Sequence, residues 1–393
     1  MIDLHAHLLR LVAPLVPGDV VAERWALVGS STELGLRLSF AAVDDPDGPR
    51  LHVELAPAAA PGRHAVATAR LRLSYRSPAR TPVPDAVGLR VCEAVARRVR
   101  ANEGPVLDAL AREAGRLELE PGPRIREVTV DRVLEPAGDT GHVFDTLSPY
   151  VGCLVGCRFC YAQSRLDPLR RLLGLPPVPW GSYVDVRINA PQVLREELRG
   201  RPPRPIKLCP IVADPYQAVE RRHRLTRACL QVLVEAEPCP PVLVLTRMAA
   251  LAEDLPLLAR LPRAFVGVSL PTVDDEVRRH FEPRAASVAQ RLELLARLRA
   301  HGITTLAVVQ PLLPGPHDAL VDALAAHVDS VSIDVLRGEE GAGPLFDDPR
   351  YAPARDDAWQ LDRARRLAAD LRARGVQVWR GELPPALEEA ARA

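Results

Sequence analysis

From about residue 140 onwards, the chain alternates between short apolar runs and longer amphipathic segments. The runs 241–246 and 264–270 are almost continuously apolar, which suits parallel strands covered on both faces. Right-handed crossovers between such strands would curl six strand–helix units into a partial, TIM-like (β/α)6 barrel. Strands are predicted near 142–148, 205–212, 241–247, 264–270, 304–312 and 330–336, and helices near 191–199, 217–236, 248–260, 286–300, 317–328 and 355–374.

Three cysteines, Cys153, Cys157 and Cys160, follow the first of these predicted strands in a C-x3-C-x2-C spacing. Three thiols leave one over in any disulfide framework, and they are one ligand short of a closed tetrahedral zinc site. They suit an iron–sulfur cluster in which one iron keeps an open position. The alternative is a zinc knuckle that a distant Cys or His completes.

The loop from Tyr150 to Tyr161 resembles the signature of the radical S-adenosylmethionine (radical SAM) superfamily. The resemblance implies that the three cysteines hold a [4Fe–4S] cluster whose fourth iron binds S-adenosylmethionine, and that Phe159 and Tyr161 line the adenine pocket. It further implies an electron donor, such as flavodoxin or ferredoxin, that drives cleavage of the cofactor to a 5′-deoxyadenosyl radical.

Within that superfamily, segments over about 140–340 resemble the branch that contains spore photoproduct lyase. This resemblance implies that Arg247 pairs with the carboxylate of S-adenosylmethionine and that Ser269 touches its ribose. Cys209 approximately matches a cysteine that returns a hydrogen atom to the substrate radical; the alternative is a small buried hydrophobe. The segments that carry the resemblance are 187–194, 214–220, 281–287 and 310–315.

Further polar residues near the predicted strand ends have two interpretations each. Asn189 and Asp214 precede prolines at the start of apolar periodic segments, so they either contact the cofactor or substrate or cap a helix. Glu282 and Arg284 either contact cofactor or substrate or only fix their loop. Tyr216 either relays a hydrogen atom or packs as an ordinary aromatic residue.

Residues 1–135 follow a different pattern and are predicted to form an α+β module, separate from the barrel of residues 136–393 and its C-terminal extension. Alternation predicts antiparallel strands at 36–40, 51–55 and 71–75. A helical pattern of valines starts at Val87 and continues, after a break, to Leu110 and Ala111. Substrate recruitment, a lid or dimerisation are the expected roles of this module.

Several residues resemble sites but are expected to be structural. Asp3, His5 and His7 imitate the Asp-x-His-x-His start of metal-dependent hydrolases, but the segment after them leaves no room for the second barrel that such enzymes need. Burial is the expected role of Cys92, Cys229 and Cys239.

Net charge and cysteine content limit the expected partners and cellular location of the protein. The formal net charge of the 393 residues is +1, so no global field attracts nucleic acid or an anionic membrane. Seven cysteines without a recognisable signal peptide or membrane span predict a cytoplasmic protein.

The leading functional expectation is an enzyme that abstracts a hydrogen atom from a small molecule or peptide in a biosynthetic pathway. With Cys209 as the hydrogen donor, the net reaction would be redox-neutral, as in a lyase or an epimerase. The alternatives are a lyase-like enzyme that repairs or modifies nucleic acid, and a non-catalytic iron–sulfur or zinc scaffold.

Overall fold

The structure is a computed structural model that describes most of the chain. The chain divides into two compact units. The first comprises residues 1–122, 135–143 and 162–178, and the second comprises 123–134, 144–161 and 179–393. The described residues are 4–31, 36–46, 48, 50–58, 65–77, 83–114, 124–137, 144–163, 179–208, 212–336 and 341–392.

Among its described residues, the first unit contains a six-stranded antiparallel sheet and two helices. The strand order is β1-β2-β3-β4-β6-β5, so most of the strands are neighbours in the order in which they occur in the chain. The three predicted strands are confirmed as β3, β4 and β6. The elements are α1 (Leu4–Val12), β1 (Val20–Ala22), β2 (Trp25–Ser31), β3 (Leu36–Ala42), β4 (Leu51–Pro57), β5 (Val66–Ala67), β6 (Leu71–Arg76) and α2 (Asp85–Ala114).

Helix α2 runs without interruption through Pro105, so the predicted break in this helix is wrong. Proline normally disfavours the helical conformation of the residue before it, because its ring collides with that residue's Cβ. Here the preceding residue is Gly104, which has no Cβ. Val91, Val95 and other apolar residues of α2 pack with the sheet strands in one buried core.

The second unit is built on parallel strands. Seven of its strands lie in the order β17-β16-β15-β14-β13-β12-β9, and every neighbouring pair among them is parallel. This order is what successive strand–helix units produce. The strands are β9 (Phe144–Leu147), β12 (Ile206–Leu208), β13 (Val242–Thr246), β14 (Ala264–Ser269), β15 (Thr304–Val309), β16 (Ser330–Ile333) and β17 (Gln377–Trp379).

The six predicted strands of this region are confirmed, and β17 is an addition. The fold is mixed α/β, as expected, while the curvature of a partial barrel stays a prediction. One large apolar core joins the parallel strands to the helices packed on them. The described helices of the second unit are α3 (Ala190–Glu197), α4 (Glu220–His223), α5 (Leu225–Val234), α6 (Leu255–Leu258), α7 (Asp275–Phe281), α8 (Val288–Ala300), α9 (His317–His327), α10 (Asp357–Ala373) and α11 (Pro385–Arg392).

Two predicted helices differ in detail from the observed ones, and two helices of this unit, α7 and α11, were not predicted. The segment 217–236 contains two helices because Arg224 adopts a left-handed conformation, with φ of 54°, between them. The segment 248–260 starts as a 3₁₀ helix over Ala249–Asp254. Of these two helices, α7 has a clear start, because its N-cap Asp274 accepts hydrogen bonds from the backbone of Glu276 and Val277.

A second, three-stranded sheet lies in the second unit and was not predicted. β10 (Tyr150–Val151) pairs antiparallel with β11 (Tyr183–Arg187), and β11 pairs parallel with β7 (Arg124–Val128). The sequence predicts a single domain boundary at 135/136. The two observed units are divided differently, because residues 123–134 belong with the second unit. The short strand Leu134–Ala137 (β8) begins at the end of that segment.

Candidate active site

The loop that carries the three cysteines starts directly after β10 and is held by backbone and amide contacts. Gly152 donates its N–H to the carbonyl of Val212 at 3.1 Å. The side chain of Gln217 binds the loop twice, because it accepts from Leu154 N at 2.8 Å and donates to the carbonyl of Gly152 at 3.1 Å. Arg158 N donates to the carbonyl of Phe281 at 3.0 Å. The loop is therefore anchored to the turn after β12 and to the end of α7.

Gly156 is required by a close approach of two backbone segments. Its φ is +65°, and a Cβ built there would collide with Nη2 of Arg284 and lie 3.0 Å from the α-carbon of Gly181. Gly181, with φ of +90°, meets the same guanidinium and lies against Gly156. Arg284 thus packs across both glycines, which agrees with the alternative that it fixes the loop.

The thiols of Cys153 and Cys157 receive hydrogen bonds from groups that follow β12 and β13 in the chain. The backbone N of Asp214 lies 3.4 Å from Sγ of Cys153, and Nη1 of Arg247 lies 3.1 Å from Sγ of Cys157. Cys153 and Cys157 are buried, whereas Cys160 is partly exposed. These contacts place the loop at the carboxyl edge of the parallel sheet, where sites in folds of this kind form.

Burial raises the pKa of both buried thiols. For Cys153 the raised pKa comes first from burial and then from Asp214, while hydrogen bonds from backbone N–H groups oppose it. For Cys157 burial again dominates and raises the pKa, while the Arg247 guanidinium lowers it. A metal would have to displace the thiol protons, because thiolate is the form that binds iron.

Asp214 organises the ends of β12 and β13 around the cysteines. Its carboxylate accepts hydrogen bonds from Tyr216 N at 2.9 Å, Thr246 Oγ1 at 2.6 Å and Arg247 N at 2.9 Å. Burial raises its pKa, and these three hydrogen bonds oppose the rise. Asp214 does not cap a helix, because α4 starts only at Glu220.

Arg247 lies in a buried network of charged side chains. Its Nη1 is 2.6 Å from Oε1 of Glu282, and its Nη2 is 3.3 Å from Oγ of Ser269. The other carboxylate oxygen of Glu282 accepts from Nη2 of Arg291 at 2.8 Å. Burial lowers the pKa of Arg247, but Cys157, Glu282 and Asp214 outweigh that effect and raise it. Arg247 is therefore a cation in this network.

The aromatic residues predicted around the adenine differ in exposure. Phe159 is buried, with the guanidinium of Arg247 at 5.8 Å from its ring centroid. Tyr161 is 46% exposed and therefore presents surface that a ligand could cover. Phe159 shares an apolar cluster with Cys153 and Cys157, so it belongs to the wall of the site.

The structure brings neither Asn189 nor Tyr216 into contact with the thiols. The amide of Asn189 accepts from Val130 N at 2.9 Å and donates to the Val130 carbonyl at 2.7 Å, which joins the segment after β7 to the start of α3. Asn189 occupies the N-cap position but forms no side-chain cap hydrogen bond. The hydroxyl of Tyr216 lies 3.0 Å from Asp254 Oδ2 within the main core, and burial raises its pKa.

The remaining predicted residues lie elsewhere. Cys209 follows the last residue of β12 in the sequence but lies outside the described residues, and so does Asp3. Cys92 and Cys229 are fully buried, and Cys239 is partly buried, with Sγ 3.3 Å from the Leu233 carbonyl. The expected burial of these three cysteines is consistent with these positions.

Sequence reasoning assigned no role to Thr246 or Arg291 and left the role of Gln217 open. Thr246 and Arg291 act through Asp214 and Glu282, and Gln217 holds the cysteine loop. Arg291 stands inside an amphipathic helix, where a charged residue normally lies at the surface. The one available indication of its role is its position on the buried side of α8, between Val288 and Leu294.

Among the described residues, no three His, Cys, Asp or Glu side chains are arranged so as to hold a metal ion as they stand. No described helix is long and apolar enough to cross a membrane.

Residues 147–328 match the model of the Radical SAM superfamily. This stretch of the chain is therefore similar to the radical SAM superfamily, whose members use a [4Fe–4S] cluster and S-adenosylmethionine. The donor set fits that cluster, because three thiols on one loop supply its usual ligand type and leave one iron open.

Relatives share this domain and not their whole length. An uncharacterised protein of Mycobacterium tuberculosis (strain ATCC 25618 / H37Rv) is 34% identical over 196 residues, which cover 46% of this chain and 55% of the relative. The Radical SAM Nα-GlyT isomerase of Pseudomonas phage M6 is 29% identical over 168 residues, covering 42% of this chain and 33% of the isomerase. The chain thus spans about half the length of the first of these relatives.

The chain also has weak matches among solved structures, which include a spore photoproduct lyase mutant and SuiB of Streptococcus suis bound to S-adenosylmethionine. The lyase mutant has a TM-score of 0.48 and 15% identity, covering 70% of this chain and 94% of the lyase chain. SuiB has a TM-score of 0.41 and 11% identity, covering 77% of this chain and 57% of SuiB.

Proposed function

We propose that this protein is a radical SAM enzyme in which Cys153, Cys157 and Cys160 bind a [4Fe–4S] cluster. The observation that carries the proposal is the position of the three thiols. They share one loop at the carboxyl edge of the parallel sheet, inside the region that matches the superfamily. Two of them also receive hydrogen bonds from Asp214 and Arg247.

A [4Fe–4S] cluster held by Cys153, Cys157 and Cys160 would supply the single electron needed for reductive cleavage of S-adenosylmethionine to a 5′-deoxyadenosyl radical. The residues of this chain position the reactants and exclude water. Asp214 fixes the Arg247 backbone and holds Cys153 through its own N–H. Tyr161 offers an exposed ring for the adenine, while Phe159 closes the buried side. A partial barrel of the seven parallel strands would enclose this edge, and a flavodoxin or ferredoxin would deliver the electron.

The proposed substrate is a small molecule or a peptide from which the radical abstracts a hydrogen atom. The near-neutral charge of the chain supports this choice, since binding to a nucleic-acid backbone normally needs a basic surface. A relative that is named an isomerase supports a redox-neutral outcome, because an isomerisation returns a hydrogen atom to the substrate. Cys209 is the proposed donor of that atom, and the thiyl radical left on it would take one electron from the flavodoxin or ferredoxin and one proton from water to restore the thiol.

The proposal is tested by anaerobic reconstitution with iron and sulfide, followed by addition of dithionite and S-adenosylmethionine. We expect a brown protein that forms 5′-deoxyadenosine, measured by liquid chromatography and mass spectrometry. Cys157→Ala should lose both the chromophore and the product. Cys239→Ala, which removes a thiol hydrogen-bonded to backbone carbonyls outside the site, serves as the matched control.

Formation of 5′-deoxyadenosine by Cys157→Ala at the wild-type rate would contradict the proposal. Candidate small molecules, peptides and DNA oligonucleotides are then added separately to the wild-type protein. Acceleration by DNA alone, with a steep dependence on salt, would replace the proposed substrate class by nucleic acid.

The role of Cys209 needs its own experiment once a substrate is identified. In deuterated water the thiol carries deuterium, so the wild-type product should gain one deuterium at the reacting carbon. Cys209→Ala should give a product without that label, or a radical by-product. Unchanged product and labelling in Cys209→Ala would exclude the donor role.

A further inference from the structure

We propose that Arg247 is a hydrogen-bond donor to the cluster-binding sulfur of Cys157 and raises the reduction potential of the cluster. Glu282 and Arg291 are positioning residues that hold the guanidinium in this orientation. The inference rests on the proposed cluster and deepens it. It also gives Arg247 a role different from the cofactor-carboxylate contact that the sequence predicts.

The orientation of Arg247 carries the first step of the argument. Its Nη1 lies 3.1 Å from Sγ of Cys157 and 2.6 Å from Oε1 of Glu282. Its Nη2 lies 3.3 Å from Oγ of Ser269, and its backbone N is bound by Asp214. The side chain is only 13% exposed. Both terminal nitrogens of the guanidinium are thus already bound to partners that belong to the protein.

The anchoring of Glu282 carries the second step. Glu282 and Arg291 are both completely buried, and their ion pair measures 2.8 Å. Arg291 also donates to the carbonyls of Ala286, at 3.0 Å, and Ser269, at 2.8 Å. A buried carboxylate between two guanidiniums cannot turn away from either without leaving a charge unpaired. Glu282 therefore fixes where Nη1 of Arg247 points.

The effect on the cluster follows from the charge that reduction adds. One electron increases the negative charge on the sulfur ligands, so a charged N–H donor stabilises the reduced state more than the oxidised state. The hydrogen bond from Nη1 of Arg247 to Sγ of Cys157 is the contact through which the guanidinium acts on the potential.

The experiment is a potentiometric titration of the reconstituted full chain, without S-adenosylmethionine. Dithionite donates one electron to each cluster, and electron paramagnetic resonance follows the reduced form. Arg247→Met should lower the equilibrium constant for reduction about tenfold, which is about 59 mV for a one-electron couple. Arg247→Lys should lie between Arg247→Met and the wild type, because lysine keeps the charge but loses the planar fork.

Arg365→Met is the matched control, because this exposed arginine of α10 has a hydrogen bond only to the Leu361 carbonyl within the described residues. Its midpoint potential should equal that of the wild type. Glu282→Asp keeps the charge but shortens the side chain, so it should lower the potential in the same direction as Arg247→Lys. A midpoint unchanged in both Arg247 variants would overturn the inference while the proposed function stands.

A measurement on the wild type covers the case in which the variants lose the cluster. Protein labelled with ¹⁵N in the guanidino groups of arginine should show a ¹⁵N coupling to the reduced cluster in pulsed paramagnetic resonance. Absence of that coupling would overturn the inference. A wild-type protein that assembles no cluster would instead overturn the proposed function, so the two failures are distinguishable.

Discussion

One ion pair from each unit of the protein shows two different uses of charged side chains. In the first unit, the pair Arg70–Asp108 joins side chains that are 44% and 58% exposed. In the second unit, the pair Arg291–Glu282 joins side chains with no exposed surface. Exposed pairs add little stability, whereas a buried pair costs desolvation of both charges. Because this costly pair lies in the network beside the three thiols, its charges position neighbouring groups and do not stabilise the unit.

A buried polar pair of the first unit and the buried network of the second unit also differ in charge. Ser39 and His52 form a 2.9 Å hydrogen bond on neighbouring strands of the antiparallel sheet. Burial, followed by Arg37, Arg50 and Arg76, lowers the pKa of His52 to about 3, so this buried pair is neutral. The carboxyl edge of the parallel sheet instead retains a buried cation, Arg247, between a carboxylate and a thiol.

The largest expected effect tests the contrast between the ion pairs. Arg291→Met removes one partner and leaves Glu282 with one guanidinium in a buried place, so we expect a loss of about 3–5 kcal/mol in the free energy of unfolding. Arg70→Met in the first unit should change it by less than about 1 kcal/mol. Urea denaturation of both variants measures the difference, and equal losses would remove the contrast.

The next effect concerns pH and the first unit. In the folded state His52 stays neutral down to about pH 3, whereas the unfolded chain takes up the proton near its ordinary pKa of 6.5. The contribution is therefore complete above pH 6.5 and is lost as the pH falls, by about 1.4 kcal/mol per pH unit. Hydrogen exchange of peptides from β4 should show this loss as the pH falls from 6.5 towards 3.

His52→Asn is the control for that experiment, because asparagine keeps a hydrogen-bonding side chain but does not titrate. Its β4 peptides should show a flatter pH dependence once the intrinsic exchange rates are corrected. A pH dependence as steep as in the wild type would assign the loss to other groups.

The smallest expected effect separates backbone strain from close packing. Gly18 in the first unit has a φ of +100° and open space at its Cβ position, whereas Gly156 has a φ of +65° and meets Arg284 and Gly181 there. Left-handed conformations cost a non-glycine residue roughly 1–2 kcal/mol, so both alanine variants lose about that much. Gly156→Ala should in addition lower the iron bound per chain after reconstitution, while Gly18→Ala should not; equal iron content would contradict the role of the close approach.

The regular elements of the second unit could be predicted because their signals are local. Apolar runs such as Val242–Thr246 and Ala264–Ser269 appear as strands at nearly the predicted residues. The incorrect helix predictions arise where a single residue departs from the usual local rule. Arg224 turns left-handed inside a continuous helical pattern, and Gly104 lets α2 continue into a proline. β7, β10 and β11 are short and pair with strands distant in sequence, so no periodicity marks them.

The sequence by itself determined the chemistry that the loop can support, because the number, type and spacing of its thiols are covalent properties. It also determined the parallel α/β character, because continuous apolar runs indicate strands that are buried on both faces. Only the tertiary structure decided which polar residues meet. Arg247, Glu282 and Arg291 are separated by 35 and 9 positions, yet both arginines bind the one carboxylate of Glu282. Such a meeting depends on where strands and helices end in space, which no local pattern encodes.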